Sequence, residues 1–408
     1  MSQASAPACG RPSGKDVSLE AARGLAAISV VAWHATLGFF PARAGIFPNF
    51  DPSLSFNTSV WFGLINGTAA VAFFFVLSGF VLTRAALLNG EPGRLLGNAL
   101  KRWPRLALPV VLAALLSWVL FSTGGYRFVE AGALTGSPWL SHFAYAFDQP
   151  FPVSFPGAML QGLFFTFFRG DASYDSSLWT MRYEFTGSFL SFGMALLLLQ
   201  VRQRWAGVYL IAIALILCHF SDIHFSAFFI GTGIAYLLPR ERLRLPVWAI
   251  LALVLAAVYL AGDTGVRTGA FLPLHYVARA IDPLYVNMLG SALLIIALGG
   301  VDVFRSGPPE HVGRWLGKLS FPLYLVHVPV LCSGGSWALV ATAQSYPSPA
   351  PEIAAVTVTV YGSLLAAIPL AWVNEAWIGW LNGVAGKAFP APPAVAMRRA
   401  IGQDGARI

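Results

Sequence analysis

Residues 20–40 read EAARGLAAISVVAWHATLGFF. The run is mostly apolar and about as long as a helix needs to be to cross a bilayer. Two of its residues do not belong in hydrocarbon: Arg23 and His34. They are eleven positions apart, and at 100° per residue an α-helix brings both within about 20° of one face, about 16 Å apart along the axis. Arg23 then lies near an interface and His34 near the membrane centre. An ionisable side chain at that depth is costly, and it usually faces a bundle interior or a water-filled cavity. The stretch therefore predicts one helix of a bundle. Glu20 stands one turn before Arg23 and can pair with it. Ala42-Arg43-Ala44 has the look of a signal cleavage site, but a retained anchor is expected, given the charge and the imidazole in the run.

Runs of the same kind recur along the 408 residues. Spans are expected at 20–40, 62–83, 103–122, 178–199, 206–220, 224–239, 246–262, 283–300, 319–340 and 353–374. The composition agrees, with 57% hydrophobic and only 11% charged residues, far from the balance of a soluble domain. The expected fold class is all-α: a polytopic integral membrane protein with about ten transmembrane helices in one bundle. A short apolar run at 157–168 is read as an interfacial or re-entrant piece at the outer surface. The domain expectation is a disordered cytoplasmic tail over 1–17, one membrane domain over 18–380 and a cytoplasmic tail over 381–408.

With ten spans, twenty of the 26 Lys and Arg residues fall on one side and six on the other. The positive-inside bias makes the richer side cytoplasmic, with both termini there, in the cell's inner membrane. The net charge of +8 is thereby a matter of loop orientation, and no nucleic-acid partner is expected. Cys9, Cys218 and Cys332 are far apart and have no metal spacing. No metal cluster, P-loop, GxGxxG or GxSxG motif occurs.

The remaining polar residues at span positions are the candidates for chemistry. Ser78 and Gly79 in the second span are small enough for close helix approach. Arg102 and Arg105 sit three apart around Pro104, which suits a first helical turn, and two guanidiniums on one face can hold phosphates or simply anchor the helix at the interface. Arg182 and Glu184 enter the outer part of the fourth span beside Trp179, face different ways, and each needs its own partner. Ser320, Tyr324 and His327 form an i, i+4, i+7 stripe on the ninth span, either functional or a hydrogen-bonded packing stripe. Glu375 ends the tenth.

Taken together, Arg23-x10-His34, Phe74-Phe75-Val76-Leu77-Ser78-Gly79-Phe80, Arg102-x-x-Arg105 with Pro109, Leu178-Trp179-Thr180 with Glu184, Ser320 with Tyr324-Leu325-x-His327, and Glu375 occur in the order typical of the membrane acyltransferase-3 family, which the chain resembles from Glu20 to Glu375. Glu20 replaces a frequent Asp, Phe321 a frequent Tyr, and Ala376 a frequent Pro. The resemblance implies transfer of an acyl group, acetyl foremost, from acyl-CoA to a carbohydrate or glycolipid hydroxyl. It implies His34 as general base, its tautomer fixed by Glu184 or an Arg23-linked water. Arg102 and Arg105 hold the CoA phosphates, with Ser78 on the same donor side. An acyl-His intermediate is the variant scheme. Trp179, Glu20, Ser320, Tyr324, His327 and Glu375 serve as substrate-binding or structural polar groups. The rival readings are a transporter or flippase with a His/Glu proton relay, and a scaffold of an export complex. No metal is implied.

Overall fold

The computed structural model describes residues 16–146, 151–238, 245–299 and 308–388. The expected tails fall largely outside these residues, as does Cys9. The described chain is helical, with no strand among the described residues. A helix lies at each of the ten expected places. They are α1 (Val17–Phe39), α2 (Gly67–Asn89), α3 (Pro92–Ser122), α4 (Trp179–Gln200), α5 (Arg204–Ser221), α6 (His224–Leu237), α7 (Val247–Ala261), α8 (Pro283–Gly299), α9 (Pro308–Val330) and α10 (Ala350–Ala388). A π-turn, Leu331–Gly335, carries α9 on into Ser336–Ala343.

Five of these are long and apolar enough to cross a bilayer on their own: α2, α3, α5, α9 with its extension, and α10. A sixth is added if α8 and the preceding Gly269–Ala278, bent by 101°, form one broken span. The chain is thus polytopic. The helices α6, α7 and α8 have 14, 15 and 17 residues. The helices α1 and α4 have the length, 23 and 22 residues, but they carry the charged and imidazole side chains that lower their hydropathy.

Local chemistry sets several helix starts. Asp16 caps α1 by accepting from Ser18 N, and Asn66 caps α2 by accepting from Thr68 N and Ala69 N, which satisfies amides that a first turn leaves free. Gly90 ends α2 at φ 68°, where a side chain would be strained. One expectation fails here: Pro104 does not open a helix. The helix α3 begins at Pro92, and Pro104 and Pro109 lie inside it. Its first turns are held instead by Leu95, buried with Ala86, Phe192 and Ala195.

Backbone contact orders the bundle. A Cβ on Gly79 would meet the Phe228 carbonyl, and one on Gly231 the Val76 carbonyl, so α2 and α6 cross with little between them, as small residues permit. The helices α1 and α9 run parallel, since Arg23 meets Gly317 and Ser320 while His34 meets His327 further along. At their lower end a Cβ on Gly24 would lie 2.5 Å from Leu316 Cβ.

The 157–168 run is part of a helical piece over 155–169, broken by a π-turn at Gln161–Phe165. It packs along α3. Phe155 meets Trp118, Gly162 presses on Val111, and Leu163 O accepts from Trp103 Nε1 at 3.0 Å. It therefore descends antiparallel to α3 and returns by Tyr174 to Ser117, the geometry of a re-entrant hairpin.

Candidate active site

The α1–α9 pair brings His34 Nδ1 within 2.6 Å of His327 Nε2, with the rings near parallel at 3°. His327 Nδ1 lies 2.6 Å from the Tyr324 carbonyl oxygen. That oxygen can only accept, so His327 Nδ1 carries a proton and, in the neutral ring, Nε2 is a lone pair. His34 Nδ1 must then donate to it, and His34 Nε2 is left as a lone pair. No bond to His34 Nε2 occurs among the described residues. Trp139 stacks on the imidazole at 5.1 Å, and Ser137 ties that segment down through the Leu37 carbonyl at 2.6 Å.

His34 lines a cavity of about 260 Å³ together with Trp33, Thr68, Phe75, Trp179, His224 and Tyr324, among others. The Tyr324 hydroxyl accepts from Thr180 Oγ1 at 3.0 Å and donates to the Ser177 carbonyl at 3.2 Å. The tyrosine is thus a fixed wall, and its backbone oxygen is the far end of the imidazole chain.

Below this cavity lies a layer of ion pairs. Glu184 accepts from Arg102 at 2.6 Å and from Ser78 Oγ at 2.9 Å on each oxygen. Arg102 is buried. Nearby, Arg23 pairs with Glu20 at 2.9 Å and donates to Ser320 Oγ at 2.8 Å and to the Gly317 carbonyl at 2.6 Å. Beneath the layer, Arg102, Lys101, Arg105, Asn98 and Asn382 line a second cavity of about 200 Å³. The order along α2 makes this plain: Val71, Ala72 and Phe75 face the first cavity, Ser78 the ion pairs, Val81 and Leu82 the second.

Two expected pairings come out differently. The neighbour that sets the His34 tautomer is His327, not Glu184 or an Arg23-linked water, because the ninth span delivers its stripe parallel to α1. Arg102 is not a free phosphate holder, since its charge is engaged by the buried Glu184. No ion pair of Arg105 occurs among the described residues, and Arg105 is exposed. Glu375 is apart from the site and pairs with Lys318 at 2.9 Å. Glu184 finds its partner on another helix, Arg102 of α3, which also lines the lower cavity. Arg182 turns to the exposed side, near Gly170.

One residue of the upper cavity, His224, and the carboxylate that holds it, Asp222, escaped the sequence. Asp222 and His224 sit in the turn between α5 and α6, with Asp222 Oδ1 2.8 Å from His224 Nδ1 and Tyr183 OH donating to Asp222 Oδ2 at 2.9 Å. Burial alone would raise this carboxyl, but the bonds from His224 and Tyr183 hold it below its ordinary value. The signal was an acid and an imidazole two apart in a break between apolar runs.

No metal-binding group of three or more His, Cys, Asp or Glu occurs among the described residues. The acyltransferase-3 family, described as an acyltransferase domain, matches residues 16–378. Neither the curated proteins nor the solved structures gave a match. The chain belongs to the acyltransferase-3 family.

Proposed function

We propose that this acyltransferase moves an acyl group, acetyl in the simplest case, from acyl-CoA to a hydroxyl of a carbohydrate or glycolipid acceptor. His34 is the general base. The observation that carries the reading is the chain Tyr324 O, His327, His34, which leaves one imidazole lone pair on a residue that lines the upper cavity. A base must lie within reach of the proton it removes, with the right nitrogen free. His34 Nε2 takes the hydroxyl proton as the acceptor oxygen attacks the thioester carbon. The C–S bond then breaks, and the same nitrogen returns the proton to the leaving thiolate. One imidazole thus balances the whole exchange, with no net proton released.

The donor side falls to the lower cavity. Arg105 and Lys101 supply the cations that a nucleotide phosphate requires, and the positive-inside count makes that end cytoplasmic in the inner membrane, with both termini beside it. The family supports acyl transfer as such. The donor, the acceptor and the role of His34 are our reading.

Membranes bearing the full chain are given labelled acetyl-CoA and a glycan extract from the same cells. Label is expected in glycan, reduced at least about a thousandfold in His34→Ala with the protein still present. Undiminished labelling in that variant rejects the base, and no labelling by the wild type rejects the reaction.

A further inference from the structure

We propose that His224, oriented by Asp222, is the acceptor-binding imidazole of the upper cavity: its Nε2 holds a polar group next to the reacting hydroxyl and so decides which hydroxyl meets His34. The inference rests on the function proposed above and names a residue that the reaction as derived leaves idle.

The geometry begins with the carboxylate. Asp222 accepts on both oxygens, from His224 Nδ1 at 2.8 Å on one and from Tyr183 OH at 2.9 Å on the other. It also accepts from the His224 backbone amide at 3.1 Å. The imidazole is therefore pinned at Nδ1, which carries a proton, and the edge that remains is Nε2. His224 is one of the residues lining the cavity that His34 lines. About a third of its side chain is exposed.

Two pinned imidazoles on different helices then share one chamber. Proton balance needs only one of them, because His34 both takes and returns the single proton. The surroundings of His224 are those of a saccharide subsite. Trp179 meets it edge-on at 5.7 Å and Tyr183 meets it tilted at 4.8 Å, and Trp179 lines the cavity beside it. Aromatic faces suit the C–H surface of a sugar, and a fixed nitrogen suits one of its hydroxyls. The turn carrying His224 lies on the side with few Lys and Arg residues. The free cations lie beyond the Ser78–Glu184–Arg102 layer. Acceptor and donor would thus enter from different ends.

The test uses the full chain in membranes, labelled acetyl-CoA, and the glycan extract titrated as acceptor. His224→Ala is expected to raise the acceptor KM about tenfold or more, the weight of one bond to substrate. The acetyl-CoA KM should hold, and kcat should change less than about threefold. His224→Gln, which carries polar atoms to the Nε2 position, should restore the acceptor KM to within about threefold. His224→Asn keeps a polar atom at the Nδ1 position toward Asp222 but loses the outer edge. It should resemble the alanine variant while folding normally, which covers the case in which His224→Ala does not accumulate. Asp222→Asn should raise the acceptor KM a few fold. Wild-type KM in both His224→Ala and His224→Asn overturns the inference. So does a fall in kcat at unchanged acceptor KM that glutamine does not rescue, since that marks a proton-transfer role. If the wild type labels no glycan, the parent reading has failed instead. If the wild type labels glycan, His34→Ala does not, and the His224 variants behave as wild type, this inference alone has failed.

Discussion

The two cavities stacked along α2 are of similar size and share almost nothing else. The upper one is walled by rings and offers two imidazole edges held by His327 and Asp222. The lower one is walled by aliphatic and amide side chains and offers cations, of which Arg105 and Lys101 have no carboxylate partner among the described residues. Between them the Arg102–Glu184 pair spends both its charges on itself. The lesson is that an arginine's position in a motif does not say whether its charge is available. Arg102 and Arg105 are neighbours on one helix turn, yet one is bound to a buried carboxylate and the other faces an opening.

That division can be broken most severely at the partition. Arg102→Ala leaves Glu184 buried without its cation, at a cost of about 3–5 kcal/mol. The protein should melt much earlier in detergent, and the double variant Arg102→Met/Glu184→Gln should recover most of the loss. A stable Arg102→Ala protein with only a raised acetyl-CoA KM would return Arg102 to the phosphate role. The next effect belongs to the upper chamber. His327→Phe removes the acceptor for His34 Nδ1, frees the wrong tautomer, and should lower kcat about a hundredfold with both KM values near normal. An unchanged kcat would leave the imidazole chain as packing. The smallest effect sharpens the lower chamber: Arg105→Ala should raise the acetyl-CoA KM about tenfold and leave the acceptor KM alone. Equal rises in both would deny that the chambers divide donor from acceptor.

Much of this was legible before any coordinates. The eleven-residue spacing put Arg23 and His34 on one face, and the Ser320–Tyr324–His327 stripe predicted a polar face on the ninth span, because helix periodicity is a local property. The placing of helices followed from apolar runs for the same reason. What periodicity does not encode is which faces meet. That His327 and not Glu184 would reach His34 depends on α1 and α9 lying parallel, and the parallel packing depends on glycines whose role emerges only against their partners. The re-entrant piece was half legible: its twelve apolar residues marked it as unusual, but its descent along α3 rests on Gly162 and Trp103, far apart in the chain. Asp222 and His224 were invisible for another reason. They belong to a turn, where polar residues are ordinary, and only the fold turns them toward a chamber.

Gly24 gives Leu316 a place to rest directly on the α1 backbone, ten residues below His34. Two stiff rods that touch at such a point behave as a pair of tongs, with the fulcrum at Gly24 and the imidazoles at the tips. The 2.6 Å gap between those tips is then set at the fulcrum, where no flexible side chain intervenes, and not by the rings themselves. A single methyl at Gly24 would act as a wedge at the pivot, and it would be felt as a loosened bond between the two imidazoles ten residues away.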